Sequence, residues 1–410
     1  MTISTPTARG RSDNANSLSG TNLERAGDYN QRVVLQAIRI NNPITRAALA
    51  RTTGLTAPTV ANITKRLIQL GLVAEAGKLH GGRGQPATKL VIPPDAGFAL
   101  GVNIDRDHIT VVILDLLGQI RGRASHEGPL TPPQQAAGLV RVLVHDLLAT
   151  SGVSIDRLVG VGVALPDALG HTDLPAHHPL SEWASVDVGA LFSQALAAPL
   201  GRRPPIIVEN DAAAAALGEL QFGHGLSHSS FFYLLISAGL GGGLVVEGDY
   251  FRGASGRSGE IGFLPVESAL TRARTLQDAV SLSALVAELG RQGIRIEAPE
   301  QLETLDGAGR AAVDAWLEMA AELLTAPLLT VSWLVNPAAI LIGGRLPTPL
   351  VDALAERLDE KVRARGGPTL AVPAIRRAAM SADAPAVGAA IMPFLTQLLP
   401  SRANLLKIGD

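Results

Sequence analysis

The chain has no cysteine at all. That excludes disulfides, thiolate nucleophiles and cysteine-ligated zinc together, and it suits a reducing cytoplasm. No apolar run approaches the roughly 18 residues that a membrane span needs. The first 20 residues lack the apolar core of a signal peptide. They are rich in Ser, Thr, Asn and Gly, so residues 1–25 read as a disordered leader.

What is present is ample apolar material: 47% of the 410 residues are hydrophobic and 18% charged, enough for large cores and too many residues for one ordinary domain. The net charge of −2 conceals a division. Residues 1–90 hold 12 Lys/Arg against 4 Asp/Glu, a surplus of eight, and the remainder holds 23 against 33, a deficit of ten. A basic head on an acidic body suits a polyanion-binding module joined to a part that avoids the polyanion. A merely solvated basic surface fits the charges equally well.

Residues 26–94 read as the head. Val33, Val34, Ala37 and Ile38 recur at helical spacing before the Asn41-Asn42-Pro43 stop. Thr45 is placed to cap a second short helix, Gly54 to turn the chain through a left-handed conformation, and Thr56 to cap a third helix that tolerates Pro58 in its first turn. Val60, Ile63, Leu67 and Leu70 form the expected buried stripe of that third helix, and Gly71 ends it. Helix, tight turn and helix is the helix-turn-helix pattern, whose second helix enters the major groove of DNA. The opposite face then presents Thr56, Ala57, Thr59, Asn62, Lys65 and Arg66. Thr59 and Asn62 suit base edges; Lys65 and Arg66 suit phosphates. Strands at Leu72–Ala76 and Lys89–Ile92 frame a Gly-rich basic wing with Arg83 at its tip, aimed at a minor groove. A small structural helical domain with a Gly-rich hairpin is the plainer alternative, but it leaves the clustered basic residues unexplained.

Residues 95–410 change to mixed strands and helices over about 300 residues, which suggests an α/β body of two lobes. Strands are expected at Phe98–Asn103, Ile109–Asp115, Gln119–Ala124, Val159–Ala164, Ile206–Val208, Phe231–Ile236, Gly243–Val246 and Ala339–Ile342. Helices are expected near Pro132–Thr150, Ala212–Phe222, Leu276–Leu289, Gly307–Leu334 and Ala384–Leu399. Four segments carry chemistry. Val208-Glu209-Asn210-Asp211-Ala212 delivers Asn210 and Asp211 at a strand end, where Asp211 has the character of a general base for a hydroxyl, though either residue serves equally as a helix cap. Ser237-Ala238-Gly239-Leu240-Gly241-Gly242-Gly243 reads as a phosphate-cradling loop or a simple hairpin turn. Ser258-Gly259-Glu260-Ile261-Gly262 offers Glu260 to a polyol or is a surface turn. Asn336 to Gly344 is a buried strand ending in a glycine pair.

Taken in order, these segments resemble the ROK family of repressors and sugar kinases, from Asn30 onward, with the head similar to the winged helix of its xylose and N-acetylglucosamine repressor branch, including Gly82-Arg83-Gly84-Gln85-Pro86. The resemblance implies an actin-like, ribonuclease-H-like fold in two lobes, a homodimer or dimer of dimers, and sugar contacts from Asn210, Asp211 and Glu260. The departures matter as much. Where family kinases open the first hairpin with Asp-x-Gly-Gly-Thr, this chain has Asp105-Arg106-Asp107-His108, and Asp107 is expected to repel phosphate oxygens. Ala238 stands where a threonine is usual. Glu260-Ile261-Gly262-Phe263 has phenylalanine where the family's zinc-ordering histidine stands, and no cysteine cluster follows. The loop after Asp167 lacks the usual Pro-Gly pair, and His177-His178-Pro179 replaces a sugar-contacting asparagine. The expectation is a cytoplasmic DNA-binding regulator, a repressor of carbohydrate-related genes responding to a sugar-like effector and reading an inverted-repeat operator. It needs no catalytic residue, no cofactor, no metal and no membrane. The rivals are a sugar kinase with an appended DNA-binding head, using Asp211 as base, and a scaffold regulated by sequestration on another protein.

Overall fold

The computed structural model describes residues 23–79, 87–166, 181–367, 371–380 and 382–401. Most of the expected leader, the wing tip with Arg83, and Asp167, His177 and His178 lie outside them.

The head is built by local signals. Helix α1 spans Leu23–Ile40, so it starts inside the segment read as leader. Helix α2 is Arg46–Thr53: the Thr45 side chain accepts from the Ala48 N–H, and Gly54 closes the helix at φ 71°. Helix α3 is Ala57–Gln69, capped by Thr56, whose side chain accepts from the Thr59 N–H. Its packed side is Val60, Thr64 and Leu67, with Ile63 half-buried. Leu70 departs from the expected stripe. It is the C-cap residue and 48% exposed, and Thr64 is buried instead, its hydroxyl bonded to the Ala61 carbonyl and to Arg46 Nε, both at 3.1 Å. Three antiparallel strands complete the unit in the order β1-β3-β2: β1 (Ile44–Thr45), β2 (Ala74–Leu79) and β3 (Ala87–Val91). The β2–β3 hairpin thus runs three residues beyond the expected end at Ala76, with a bulge between Glu75 and Lys78.

The body repeats one topology twice, a relation that no short sequence repeat announces. The first unit runs β4 (Phe98–Ile104), β5 (His108–Asp115), β6 (Ile120–Glu127), α4 (Pro133–Ser151), β7 (Leu158–Leu165), α5 (Ser181–Ala184), α6 (Val188–Ala195), β8 (Ile206–Asn210) and α7 (Asp211–Phe222). The second runs β9 (Phe231–Ile236), β10 (Leu240–Val246), β11 (Asp249–Tyr250), α8 (Leu276–Ala279), α9 (Leu282–Arg291), α10 (Gly307–Val335), β12 (Ala339–Gly344), α11 (Thr348–Gly366), β13 (Ala374–Arg377) and α12 (Ala384–Gln397). The sheets have orders β6-β5-β4-β7-β8 and β11-β10-β9-β12-β13. Each joins three antiparallel strands to two parallel ones. Every residue of β4, β5, β9 and β12 is buried, as befits sheets covered on both faces. The expected helix over Leu276–Leu289 is two, because Ser281 caps a new start by accepting from the Ala284 N–H.

Between the sheets lie the two unit-ending helices, each crossing to the other lobe. α7 lies on the second sheet, where a side chain at Gly243 would meet the Ala216 Cβ at 2.6 Å and the Ala212 carbonyl oxygen at 2.8 Å. α12 lies on the first sheet, where side chains at Gly101 and Gly162 would overlap the carbonyl oxygens of Ala386 and Ala389. The helices meet one another through Gly388, whose missing Cβ makes room for the Ala214 carbonyl. Small residues are needed here because backbone packs on backbone. On the outer faces, Val140, Val144 and Phe192 cover the first sheet, while Leu285, Trp316, Leu324 and Leu354 cover the second. α10 is long and apolar enough, by length and composition alone, to cross a membrane, contrary to the reading of the sequence; Trp316, Leu317, Ala320, Leu324 and Leu328 are buried in this lobe.

Candidate functional sites: the third helix and the interlobe cleft

Two places gather the residues singled out above. The first is the outer face of α3. Thr56, Ala57, Asn62, Lys65 and Arg66 are exposed, and the packed residues Val60, Thr64 and Leu67 hold the opposite side. Thr59 differs from its five companions: it is half-buried, and its hydroxyl lies 2.8 Å from that of Thr56, inside the cap. Its availability to a base edge is therefore shared with the helix start. Arg83 lies outside the described residues.

The second is the seam between the lobes. The equivalent first hairpin turns of the two units face each other there. Asp105, in the β4–β5 turn, is 2% exposed and accepts from the Ser237 hydroxyl of the β9–β10 turn. Its other carboxylate oxygen accepts from the Arg106 N–H at 2.7 Å, and its own N–H donates to the His108 carbonyl at 2.9 Å. These two turn N–H groups are thus engaged within the protein, where a phosphate-binding turn would point them outward. The Arg106 side chain extends over Gly239; any side chain there would strike the guanidinium. Among the described residues the remaining space is a cavity of about 20 Å³, lined by Asn210, Asp211 and Glu260 among others, with Arg106, Phe263 and Gln277 closing around them. That is room for about one water molecule.

Asp107 lies elsewhere than expected. It does not stand in the phosphate approach: it lies 2.7 Å from His108 Nδ1 and 3.0 Å from Arg345 Nη1. Burial tends to raise its carboxyl, but the His108 hydrogen bond and Arg345 outweigh that and hold it below the usual carboxylate range. The ligand atoms of Asp105, Asp107 and His108 lie within 4.8 Å of one another, a grouping that a reading of the turn purely as a phosphate site passes over. Asp105 is bonded to Ser237, Asp107 lies against His108 and Arg345, and His108 Nε2 lies 3.1 Å from Asn103 Nδ2.

Asn210 and Asp211 both prove to be start-of-helix residues. Asn210 Oδ1 accepts from the N–H groups of Ala212 and Ala213 at 2.9 and 3.1 Å, and Asp211 Oδ1 accepts from Ala212 at 2.7 Å. The capping role and the cleft-lining role coexist, because a cap at the strand end points its side chain into the seam. The glycine-rich segment is a hairpin: Gly241, Gly242 and Gly243 sit within β10, paired to β9. They are small because α7 and the Gly259 carbonyl press on them, so packing, rather than a phosphate, accounts for these glycines. Glu260 precedes a short 3₁₀ turn, Ile261–Phe263. Two larger open hollows, of about 960 and 940 Å³, lie one beside Glu260 against α10 and one between α7, β11 and the end of α12. Neither contains Asn210 or Asp211, so the small cleft is the better candidate despite its size.

Comparison with known proteins follows the same division. The ROK family profile matches residues 99–393, and a MarR family profile matches residues 28–84. An uncharacterised protein, y4fQ, of Sinorhizobium fredii is 32% identical over 372 residues, covering 89% of this chain and 90% of that protein. The xylose repressor of Bacillus spizizenii is 29% identical over 238 residues; the match spans 58% of this chain and only 60% of the repressor. Among solved structures, a ROK family transcriptional regulator described as a homolog of the Escherichia coli MLC protein superposes with a TM-score of 0.67 at 20% identity, over 93% of this chain and all of that one.

Proposed function

The chain belongs to the ROK family, and from that premise we propose that it is a DNA-binding transcriptional regulator, most simply a repressor of carbohydrate-related genes, whose cleft takes a sugar or sugar derivative. The observation that carries the reading is α3: a helix held on one side by Val60, Thr64 and Leu67 that turns Asn62, Lys65 and Arg66 to solvent. Helices so held are the reading elements of helix-turn-helix proteins. Relatives named as xylose and N-acetylglucosamine repressors support the sugar response. Asn210, Asp211 and Glu260 are the proposed effector contacts, and Arg83 the proposed minor-groove contact. The protein acts in the cytoplasm as a homodimer or dimer of dimers on an inverted repeat, with half-sites about 34–36 Å apart.

Arg106 lies over Gly239 at the mouth of the cleft, so effector entry is coupled to a parting of the lobes that moves Arg106 aside. Ligand binding therefore selects an open arrangement, and DNA affinity follows that arrangement by linkage. The kinase alternative is weakened by the Asp105–His108 turn, whose N–H groups at Asp105 and Arg106 are already bonded.

The test combines melting with turnover. D-xylose and N-acetyl-D-glucosamine are added to the full chain, and a sugar that binds raises the melting temperature. Asp211→Ala is expected to abolish that shift while leaving DNA binding by the sugar-free protein unchanged. ATP consumption with either sugar is expected to be absent. Steady ATP turnover, or a shift that survives in Asp211→Ala, refutes the assignment of the cleft.

A further inference from the structure

The head is held to the body at two places: at the end of α3, where the Leu70 carbonyl accepts from Arg157 Nη1 at 3.3 Å, and along α1. Arg32 Nη1 donates to the Thr396 and Leu399 carbonyls at 3.0 and 3.2 Å, at the C-terminal end of α12. Two turns further on, Arg39 donates to Gln221 Oε1 at 2.5 Å and to the Gln221 carbonyl at 3.4 Å, at the C-terminal end of α7. Gln36 Nε2 also reaches Gln221 Oε1, at 3.2 Å. The Arg39 guanidinium lies 5.0 Å from the centre of the Phe222 ring. Arg39 is 7% exposed and burial lowers its pKa to about 10, so it stays charged at neutral pH. Its buried charge faces the negative end of a helix dipole and an aromatic face, both of which stabilise a cation.

The two helices so gripped lie mainly on different lobes, with the Phe222 end of α7 also meeting the first lobe at Gly118. α12 lies on the first sheet and α7 on the second, and they meet backbone to backbone at Gly388 and Ala214, with Phe222 at the end of α7 packed beside Ala386, Val387 and Ala390. Shear between lobes proceeds by small slides of packed helices of this kind, the tight fit at Gly388 keeping them small. α7 begins at Asn210 and Asp211 and ends at Gln221 and Phe222. One helix therefore runs from the cleft to the head. Arg32 and Arg39 are seven residues apart, about 10.5 Å along a rigid helix, so both can be seated only over a narrow range of α7–α12 offsets.

We propose that Arg32 and Arg39 are positioning residues that lock the DNA-binding head to one relative arrangement of the lobes, α1 straddling the joint and sensing any slide of α7 against α12. The proposal rests on reading the head as the DNA-binding part and names how the cleft governs it. When the lobes part, one arginine must leave its carbonyls, and the head loses its fixed posture.

The absence of cysteine makes the experiment direct. Spin labels are placed by Arg51→Cys on α2 together with Gln135→Cys on α4 (first lobe), or with Glu356→Cys on α11 (second lobe); all three positions are exposed. Pulsed electron-electron distance distributions are then recorded on the full chain without sugar or DNA. The Gln36→Ala/Arg39→Ala variant is expected at least to double the width of the head-to-second-lobe distribution and to leave the head-to-first-lobe distribution unchanged. Arg32→Ala is expected to broaden the head-to-first-lobe distribution instead, to a smaller extent because Arg157 still donates to the Leu70 carbonyl. Arg39→Lys, which keeps the buried stem but not the forked donors, is expected to fall between wild type and the alanine variant. A merely structural role predicts that both distributions broaden together in every variant. That result, or no broadening in any variant, overturns the proposal. Because no sugar is involved, failure of the effector reading cannot produce either outcome. The proposal is thus judged separately from the cleft.

Discussion

Gly388→Ala is expected to lower the melting temperature by several degrees or to prevent folding. The added Cβ would overlap the Ala214 carbonyl oxygen and crowd that residue's Cα. α12 cannot retreat, because on its other side the Ala386 and Ala389 carbonyls already fill the places of absent side chains at Gly101 and Gly162. Overpacking a core costs about 1–3 kcal/mol where side chains can yield, and here the obstacle is backbone on both sides. Each kcal/mol corresponds to roughly 2–4 °C in a domain of about 150–250 residues and to less in a larger one, so a loss of several degrees marks a clash at the upper end of that cost or beyond it. Gly138→Ala on α4 is the control. Nothing lies within 4 Å of the place a Cβ would take there, and alanine is favoured over glycine in a helix by about 1 kcal/mol. Calorimetry on both variants checks the argument. A Gly388→Ala protein that melts with wild type would mean that the two lobes are not joined through this contact.

The second large effect belongs to α3. Lys65→Ala/Arg66→Ala is expected to weaken binding to every DNA sequence alike and to reduce the slope of log affinity against log salt by about two. The losses grow as salt is lowered. Asn62→Ala, by contrast, is expected to cost about 1–3 kcal/mol on the preferred sequence and little on others, flattening base choice. Gel-shift titrations between about 50 and 200 mM salt, using sequences enriched from a random pool by the wild-type chain, separate the two. If the double variant retains the wild-type salt slope, Lys65 and Arg66 do not meet phosphates and another face of the head carries the contact.

The helices of the head are readable from residues close in sequence. Thr45, Gly54 and Thr56 act on backbone groups within four residues, and these short-range bonds are the same in any fold. The failures along α3 have two sources, one at its end and one tertiary. A helical stripe extrapolated to Leu70 ignores that a terminal residue leaves the packed face, and it passes over Thr64, which becomes buried only because Arg46 arrives to bond its hydroxyl. The strands of the body are recognisable as apolar runs. The split at Ser281 escapes notice because a continuous helical pattern hides a capping residue. α11 and β13 are absent from the expected elements, and the duplicated topology is invisible in sequence because it is a relation between strand orders, not between residues.

Composition and neighbouring residues therefore determined a basic head, a capped third helix and an α/β body, while the degeneracy of the first hairpin turn was legible only through the resemblance to the ROK family. Those first three rest on interactions spanning a few positions. Tertiary structure alone decided that Asp107 turns to Arg345 while Arg106 fills the cleft, that the glycines of β10 accommodate a helix, and that Arg32 and Arg39 grip α12 and α7 across separations of 364 and 182 residues. Bonds of that reach depend on how two lobes and a head are stacked. The side chains that make them look, in sequence, like any others on a helix surface.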